Sequence, residues 1–263
     1  MLHNKDLRKL IAWMTWHSKE GHIPSAYSII DIVELLYTDF LKFSPLAPND
    51  PERDYFILSK GHGCAALYAV LYKIGLLSKQ DLLDKNGEFA KLATHPDRSK
   101  IPGVEASTGS LGNGIGFAAG IANGVRLAGK SNKVLALVGD AESNEGTVWE
   151  TALLARHLML GNFCVILDNN GSCNPTLSLF DVSKKWDAFG WETYSVDGHD
   201  RESIYRLVCS LDFNPTGRPK CIVANTLKGK GVREMEENYG GWHSKVPNDA
   251  ELQLIYSRID EYE

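Results

Sequence analysis

Val134-Leu135-Ala136-Leu137-Val138-Gly139-Asp140 and Phe163-Cys164-Val165-Ile166-Leu167-Asp168-Asn169-Asn170-Gly171 are two apolar runs that each end in a polar tip. Short apolar runs closed by glycine read as fully buried strands. Between them, residues 146–160 carry apolar positions at helical period, so the segment reads as a right-handed strand–helix–strand crossover between parallel strands. Asp140 and Asn170 then stand at one edge, the carboxyl end of the sheet, where open α/β sheets bind ligands. A carboxylate and an amide oxygen are hard ligands for a divalent cation such as Mg2+ (or Ca2+ or Mn2+), which keeps positions open for phosphate oxygens. The pair points to a metal-bridged diphosphate site.

Outward from this unit the pattern extends to one domain over residues 1–263, of α/β class, with a doubly wound, mainly parallel sheet. Further strands are expected at residues 55–58, 191–196 and 221–224. Helices are expected at residues 5–19, 28–41, 61–74, 112–127 and 201–211, the last capped by Asp200, with one more closing the chain. A Gly-His-Ile-Pro turn precedes the second helix. Residues 86–110 and 227–248 read as long, glycine-bearing loops, and loops of that length are usually functional.

Composition agrees with a single sizeable core: 263 residues, 43% hydrophobic, are enough to bury a full doubly wound sheet. A net charge of −5 with scattered Lys and Arg gives no basic field, which argues against nucleic acid as a partner. The five cysteines have no Cys-x-x-Cys spacing and fit a reduced cytoplasm better than secretion or structural zinc. The charged N-terminus does not read as a signal core, and no apolar run approaches membrane-spanning length.

Four further blocks accompany the central one: Gly21-His22-Ile-Pro-Ser-Ala, Leu58-Ser-Lys-Gly-His62-Gly, Gly103-Val-Glu-Ala-Ser-Thr-Gly109-Ser-Leu111-Gly-Asn-Gly114, and Lys228-Gly-Lys-Gly-Val232 leading to Trp242-His243. With Gly139-Asp140-Ala141-Glu-Ser-Asn-Glu145-Gly through Asn170, this order resembles the transketolase family, closest to its N-terminal half or the smaller subunit of transketolases split over two chains. The resemblance implies a thiamine-diphosphate-binding fold and transfer of a two-carbon ketol unit from a ketose or ketose phosphate to an aldose.

It also implies roles residue by residue. Asp140, Asn170 and the main-chain carbonyl of Ser172 would hold Mg2+. Gly139 and Ala141 would lie against the diphosphate, Ala141 replacing the family's second glycine, which is tolerable at negative φ. Gly109 and Leu111 would meet the aminopyrimidine, and Glu145 would couple the two cofactor sites across a dimer interface. His62 and His243 would face the diphosphate and reaction centre, and His22 and His95 the sugar. Taken singly, Asp140 also reads as a helix cap, Asn170 as a turn residue, Glu145 as a first-turn acid and each histidine as an idle loop residue. His3, His17, His157 and His199 keep that bland reading, although His199 stands in the family-like block Asp197-Gly-His-Asp200.

The family's activating glutamate lies on a pyrimidine-binding domain, and only about twenty residues follow His243, enough for one helix. The expected partner is therefore a C-terminal transketolase subunit carrying that domain, in an α2β2 assembly. Competing readings are another thiamine diphosphate enzyme, such as a 1-deoxyxylulose-5-phosphate synthase or 2-oxo acid dehydrogenase component, and a non-catalytic cofactor-binding homologue. A dinucleotide-binding domain is disfavoured, because Gly112-Asn-Gly114-Ile-Gly116 precedes the motif strand instead of following one.

Overall fold

The computed structural model describes residues 3–87 and 90–262. Five strands, β1 (Tyr55–Leu58), β2 (Val134–Gly139), β3 (Phe163–Asn169), β4 (Glu192–Asp197) and β5 (Lys220–Asn225), form one sheet in the order β1-β2-β3-β5-β4. Every pairing is parallel. The register sets the strand ends level: Gly139 pairs with Asp168, and Asn225 with both Asn169 and Asp197. All polar tips therefore emerge along one carboxyl edge.

Side chains of the central strands alternate between two cores, as the period of a strand requires. Leu135, Leu137, Cys164 and Ile166 pack on one face, and Val134, Ala136, Val138, Phe163, Val165 and Leu167 on the other. The first face is covered by α1 (Asn4–Ser18), α2 (Ile23–Tyr27), α3 (Ile30–Leu35), α4 (Cys64–Lys73), α9 (Arg201–Ser210) and α11 (Asp249–Glu261). The second is covered by α6 (Asn113–Leu127), α7 (Gly146–His157) and α8 (Val182–Ala188). Burial on both faces explains the continuous apolar runs in the sequence. The short helices α5 (Lys79–Leu83) and α10 (Arg233–Glu237) lie in the connections.

The expected helix over residues 28–41 is three pieces instead. α2 starts inside the expected turn, because Pro24 in a first helical turn forfeits no hydrogen bond. The Ser28 hydroxyl donates to Ser25 O at 3.1 Å and to Asp168 Oδ2 at 2.8 Å, bending the chain between α2 and α3. α3 then runs into a π-turn over Leu36–Phe40. Helices α5, α8 and α10 fall in stretches read as irregular. At five, seven and five residues they are too short to display a period, although the capping box of Ser78 with Asp81 and the Asp181 cap were there to read. The Asp200 cap is present, its side chain accepting from the amides of Glu202 and Ser203. The long connection over residues 86–110 has no regular element among its described residues, and residues 88 and 89 lie outside them.

Candidate functional site

A cleft of about 540 Å3 opens at the carboxyl edge, over the ends of β1, β2, β3 and β5. At the end of β2 the Asp140 carboxylate is 1% exposed. Its Oδ1 accepts from the Ala141 amide and the Ser172 hydroxyl, both at 2.7 Å, and its Oδ2 from the Cys173 amide at 3.3 Å. Ser172 also donates its amide to Asn170 Oδ1 at 3.0 Å. One turn thus gathers a carboxylate and an amide oxygen, the hard donor set that suits a small divalent cation. The Ser172 hydroxyl, given no part by sequence, joins the two. Ala141 has φ −64°, the negative value at which a methyl group is accommodated.

Beneath the cleft lies Asp168, fully buried. Lys60 Nζ, Ser28 Oγ and Asn170 Nδ2 donate to its Oδ2 at 2.5, 2.8 and 2.7 Å, and Thr226 Oγ1 donates to its Oδ1. Burial alone would raise this carboxyl; Lys60 and the hydroxyl donors outweigh it and hold the group below the usual carboxylate range. The same contacts orient Asn170: with its NH2 on Asp168, its oxygen faces the cleft. Replacing Asp168 with alanine strands the Lys60 ammonium in the interior, and loss of one member of a buried pair costs about 3–5 kcal/mol. Urea unfolding of the variant checks this; a midpoint matching the wild type would mean that Lys60 escapes to water.

The rings of His22, His62 and His243 cluster over the strand ends, with centroids 5.5 Å apart for His22 and His62, 5.1 Å for His22 and His243, and 6.4 Å for His62 and His243. Burial, with help from neighbouring cations, pulls His22 down to about 4 and His62 to about 2, and lowers His243. All three are neutral at physiological pH, able to donate and accept hydrogen bonds. His22 sits in the left-handed region at φ 74°, a conformation rarely adopted without reason by a non-glycine residue. Gly21 beside it is pressed to the other loop, since a Cβ there would collide with the Ser244 backbone.

Lys228 completes the wall of the cleft. It is 4% exposed, and among the described residues its ammonium has no ion-pair or hydrogen-bond partner. Burial and then repulsion from Lys60 push its pKa down to about 8. A buried cation without a counterion is unfavourable unless a ligand supplies the charge. Lys60, Lys228 and the imidazole N–H groups all converge on the same space, and a diphosphate is the matching anion.

The cleft brings together His22, His62, Gly109, Leu111, Gly139, Asp140, Ala141, Asn170, Ser172 and His243, ten of the residues expected from sequence. His95 stands just behind, its ring 3.1 Å from where a Gly109 Cβ would lie, and does not line the cleft. Glu145 is exposed at the N-terminus of α7 and is also outside the lining. Sequence reasoning missed Lys60, Asp168, Lys228 and Glu142, although the quoted blocks contain all four. The buried Glu142 accepts from Ser59 Oγ, the Gly112 amide and the Gly139 amide at 2.5, 2.9 and 3.0 Å, tying the start of α6 onto the end of β2. Burial pushes its carboxyl up.

The family model for the thiamine diphosphate binding domain of transketolase matches residues 3–255. An apulose-4-phosphate transketolase subunit of Actinobacillus succinogenes is 34% identical over 97% of this chain and 93% of its own length. The protein of the same name from Phocaeicola vulgatus is 31% identical over 99% of this chain and 93% of its own. Among solved structures, transketolase from Campylobacter jejuni superimposes with a TM-score of 0.86 at 29% identity, over 97% of this chain. The chain spans 41% of the length of that transketolase. With the fold, the strand-end cleft and these likenesses in agreement, the chain belongs to the transketolase family, as its thiamine diphosphate-binding N-terminal domain.

Proposed function

We infer that this chain is the diphosphate-binding subunit of a two-chain transketolase that moves a two-carbon ketol unit from a ketose phosphate to an aldose. The unneutralised charge of Lys228, beside Lys60 and facing the Asp140–Asn170 turn, carries this reading. In it, Asp140, Asn170 and the Ser172 carbonyl hold Mg2+, while Lys228, Lys60 and the amide of Ala141 take the diphosphate oxygens. Gly109 allows the pyrimidine ring close to the backbone, and Leu111 supports the bent form of the cofactor. When bound, thiamine diphosphate supplies the carbon nucleophile and electron sink of ketol transfer.

The histidines work on the sugar and the phosphates. A neutral imidazole at the cleft mouth accepts a proton from a sugar hydroxyl oxygen and returns it to a carbonyl oxygen, the task for which His22 is suited by its depressed pKa. His95, behind Gly109, reaches hydroxyls further from the reacting carbon. His62 and His243 donate toward the diphosphate and the reaction centre. Glu145, exposed at the start of α7, is free to meet a neighbouring protomer.

A separate partner carrying the pyrimidine-binding domain, in an α2β2 assembly, is supported by two relatives whose names make them one subunit of a larger transketolase, and which this chain matches over 93% of their length. Exposed Phe117 and Leu127 on α6 and Leu153 and Leu154 on α7 offer an apolar face for docking. A cytoplasmic location suits the five free cysteines.

Steady-state kinetics on the reconstituted pair test the division of labour. His22→Ala and His95→Ala raise the KM for the sugar or lower kcat and leave cofactor affinity unchanged, whereas His62→Ala and His243→Ala also weaken the cofactor. A His22 variant that altered thiamine diphosphate affinity alone would contradict the assignment. Carbon dioxide release from pyruvate, in place of ketol transfer, would replace the transketolase reaction with a decarboxylating one.

A further inference from the structure

His199 lies on the turn after β4, outside the cleft, yet it is wired to the loop that carries Lys228. The Leu227 amide donates to His199 Nε2 at 2.9 Å, which makes Nε2 the acceptor and leaves the proton on Nδ1. Nδ1 then donates to Asp31 Oδ2 at 2.8 Å. Asp31 is held in turn by both terminal nitrogens of Arg8, at 3.0 and 2.6 Å, and by Asn4 Nδ2 at 2.7 Å. Arg8 Nε also donates to Lys230 O at 3.2 Å, and the Gly229 amide to Pro24 O at 3.1 Å, two residues from His22. The loop from Thr226 to Gly231 is thereby strapped at three points to α1, α2 and the β4–α9 turn.

We propose that His199 is a positioning residue for the diphosphate site, holding Leu227 through its neutral Nε2 so that the adjacent Lys228 ammonium stays in the cleft. The need for such a strap is electrostatic. Lys228 is buried beside Lys60 without a counterion of its own, so before an anion binds, repulsion and desolvation favour swinging it out to water. A side chain that donates at one end to Asp31 and accepts at the other from Leu227 resists that motion. Lysine or arginine has no acceptor and cannot substitute. The role rests on the diphosphate reading above.

Two conservative variants separate the two ends of the ring. His199→Gln puts an amide oxygen near the position of Nε2 and retains an acceptor for Leu227; His199→Asn puts an amide NH2 near Nδ1 and retains only the bond to Asp31. Hydrogen exchange of the Leu227 amide in the full chain reads the strap directly, and titration calorimetry with Mg2+ and inorganic pyrophosphate reads the site. The wild type and His199→Gln keep Leu227 protected and bind pyrophosphate alike. His199→Asn and His199→Ala lose protection and affinity, each by about tenfold or more, the scale of one opened hydrogen bond. If His199→Ala does not fold, the Gln and Asn pair still decides.

Coupling to Lys228 is read from a double-mutant cycle: His199→Asn added to Lys228→Met weakens pyrophosphate no further than Lys228→Met alone. Additive losses, or a His199→Asn chain with wild-type exchange and affinity, overturn the proposal. A wild-type chain that takes up no pyrophosphate instead overturns the diphosphate reading and the role given to Lys228, while exchange at Leu227 still reports whether the strap exists.

Discussion

Asp140→Ala is expected to abolish Mg2+-dependent binding of thiamine diphosphate. In the proposed site the carboxylate is the one anionic protein ligand, so its loss removes both a coordination bond and the charge that offsets the cation. Affinity should fall by well over about a hundredfold, since removing even an outer partner of a metal ligand costs 10–100-fold. The fold loses less. Asp140 accepts from Ala141, Ser172 and Cys173, and its truncation leaves those donors short of a partner, a loss of about 1–3 kcal/mol for a buried group. Asp140→Asn controls for this, because it keeps an acceptor oxygen and loses the charge: it should melt near the wild type and still fail to load cofactor. Calorimetry of the assembled enzyme with Mg2+ and thiamine diphosphate decides the matter, and wild-type affinity in either variant would remove Asp140 from the metal site.

The second large effect is an all-or-none dependence on another polypeptide. This chain is expected to show no ketol transfer alone and full turnover once joined by a subunit of roughly 300 residues, the size of two ordinary domains. The argument is chemical. The cleft holds basic groups suited to the diphosphate end, and its buried glutamate, Glu142, is committed to Ser59, Gly112 and Gly139. With Asp140 given to the metal, no acid among the described residues of the cleft is left to activate the pyrimidine ring. By family analogy that acid comes from the pyrimidine-binding domain, across an interface that the apolar faces of α6 and α7 are fit to make. Light scattering on the mixture should give the mass of two copies of each chain. Turnover by the isolated chain would end the two-subunit reading.

The strands, their parallel pairing and the carboxyl-edge location of Asp140 and Asn170 could be read from local pattern alone. A run buried on both faces, such as Val134 to Val138, leaves little ambiguity in sequence, and the helix between the two runs forces their ends to the same edge. The motif histidines were legible for a different reason: His22, His62 and His243 stand in glycine-bounded blocks whose order identifies the family. What local pattern could not disclose was partnership. Lys60 and Lys228 look alike in sequence, yet Lys60 is neutralised by Asp168, 108 residues away, while Lys228 is buried without an anion. Glu142 and Glu145 stand three residues apart in one motif, but one is pinned beneath the cleft and the other points to solvent. The break between α2 and α3 likewise depends on Ser28 reaching Asp168 across 140 residues. Period and capping act within a few residues, so the sequence by itself determined the elements and the edge that bears the site. Burial and the pairing of charges act between segments distant in the chain, so only the tertiary structure decided which lysine is left for a ligand, which acid is used up in the scaffold, and that His199 holds the loop beside Lys228.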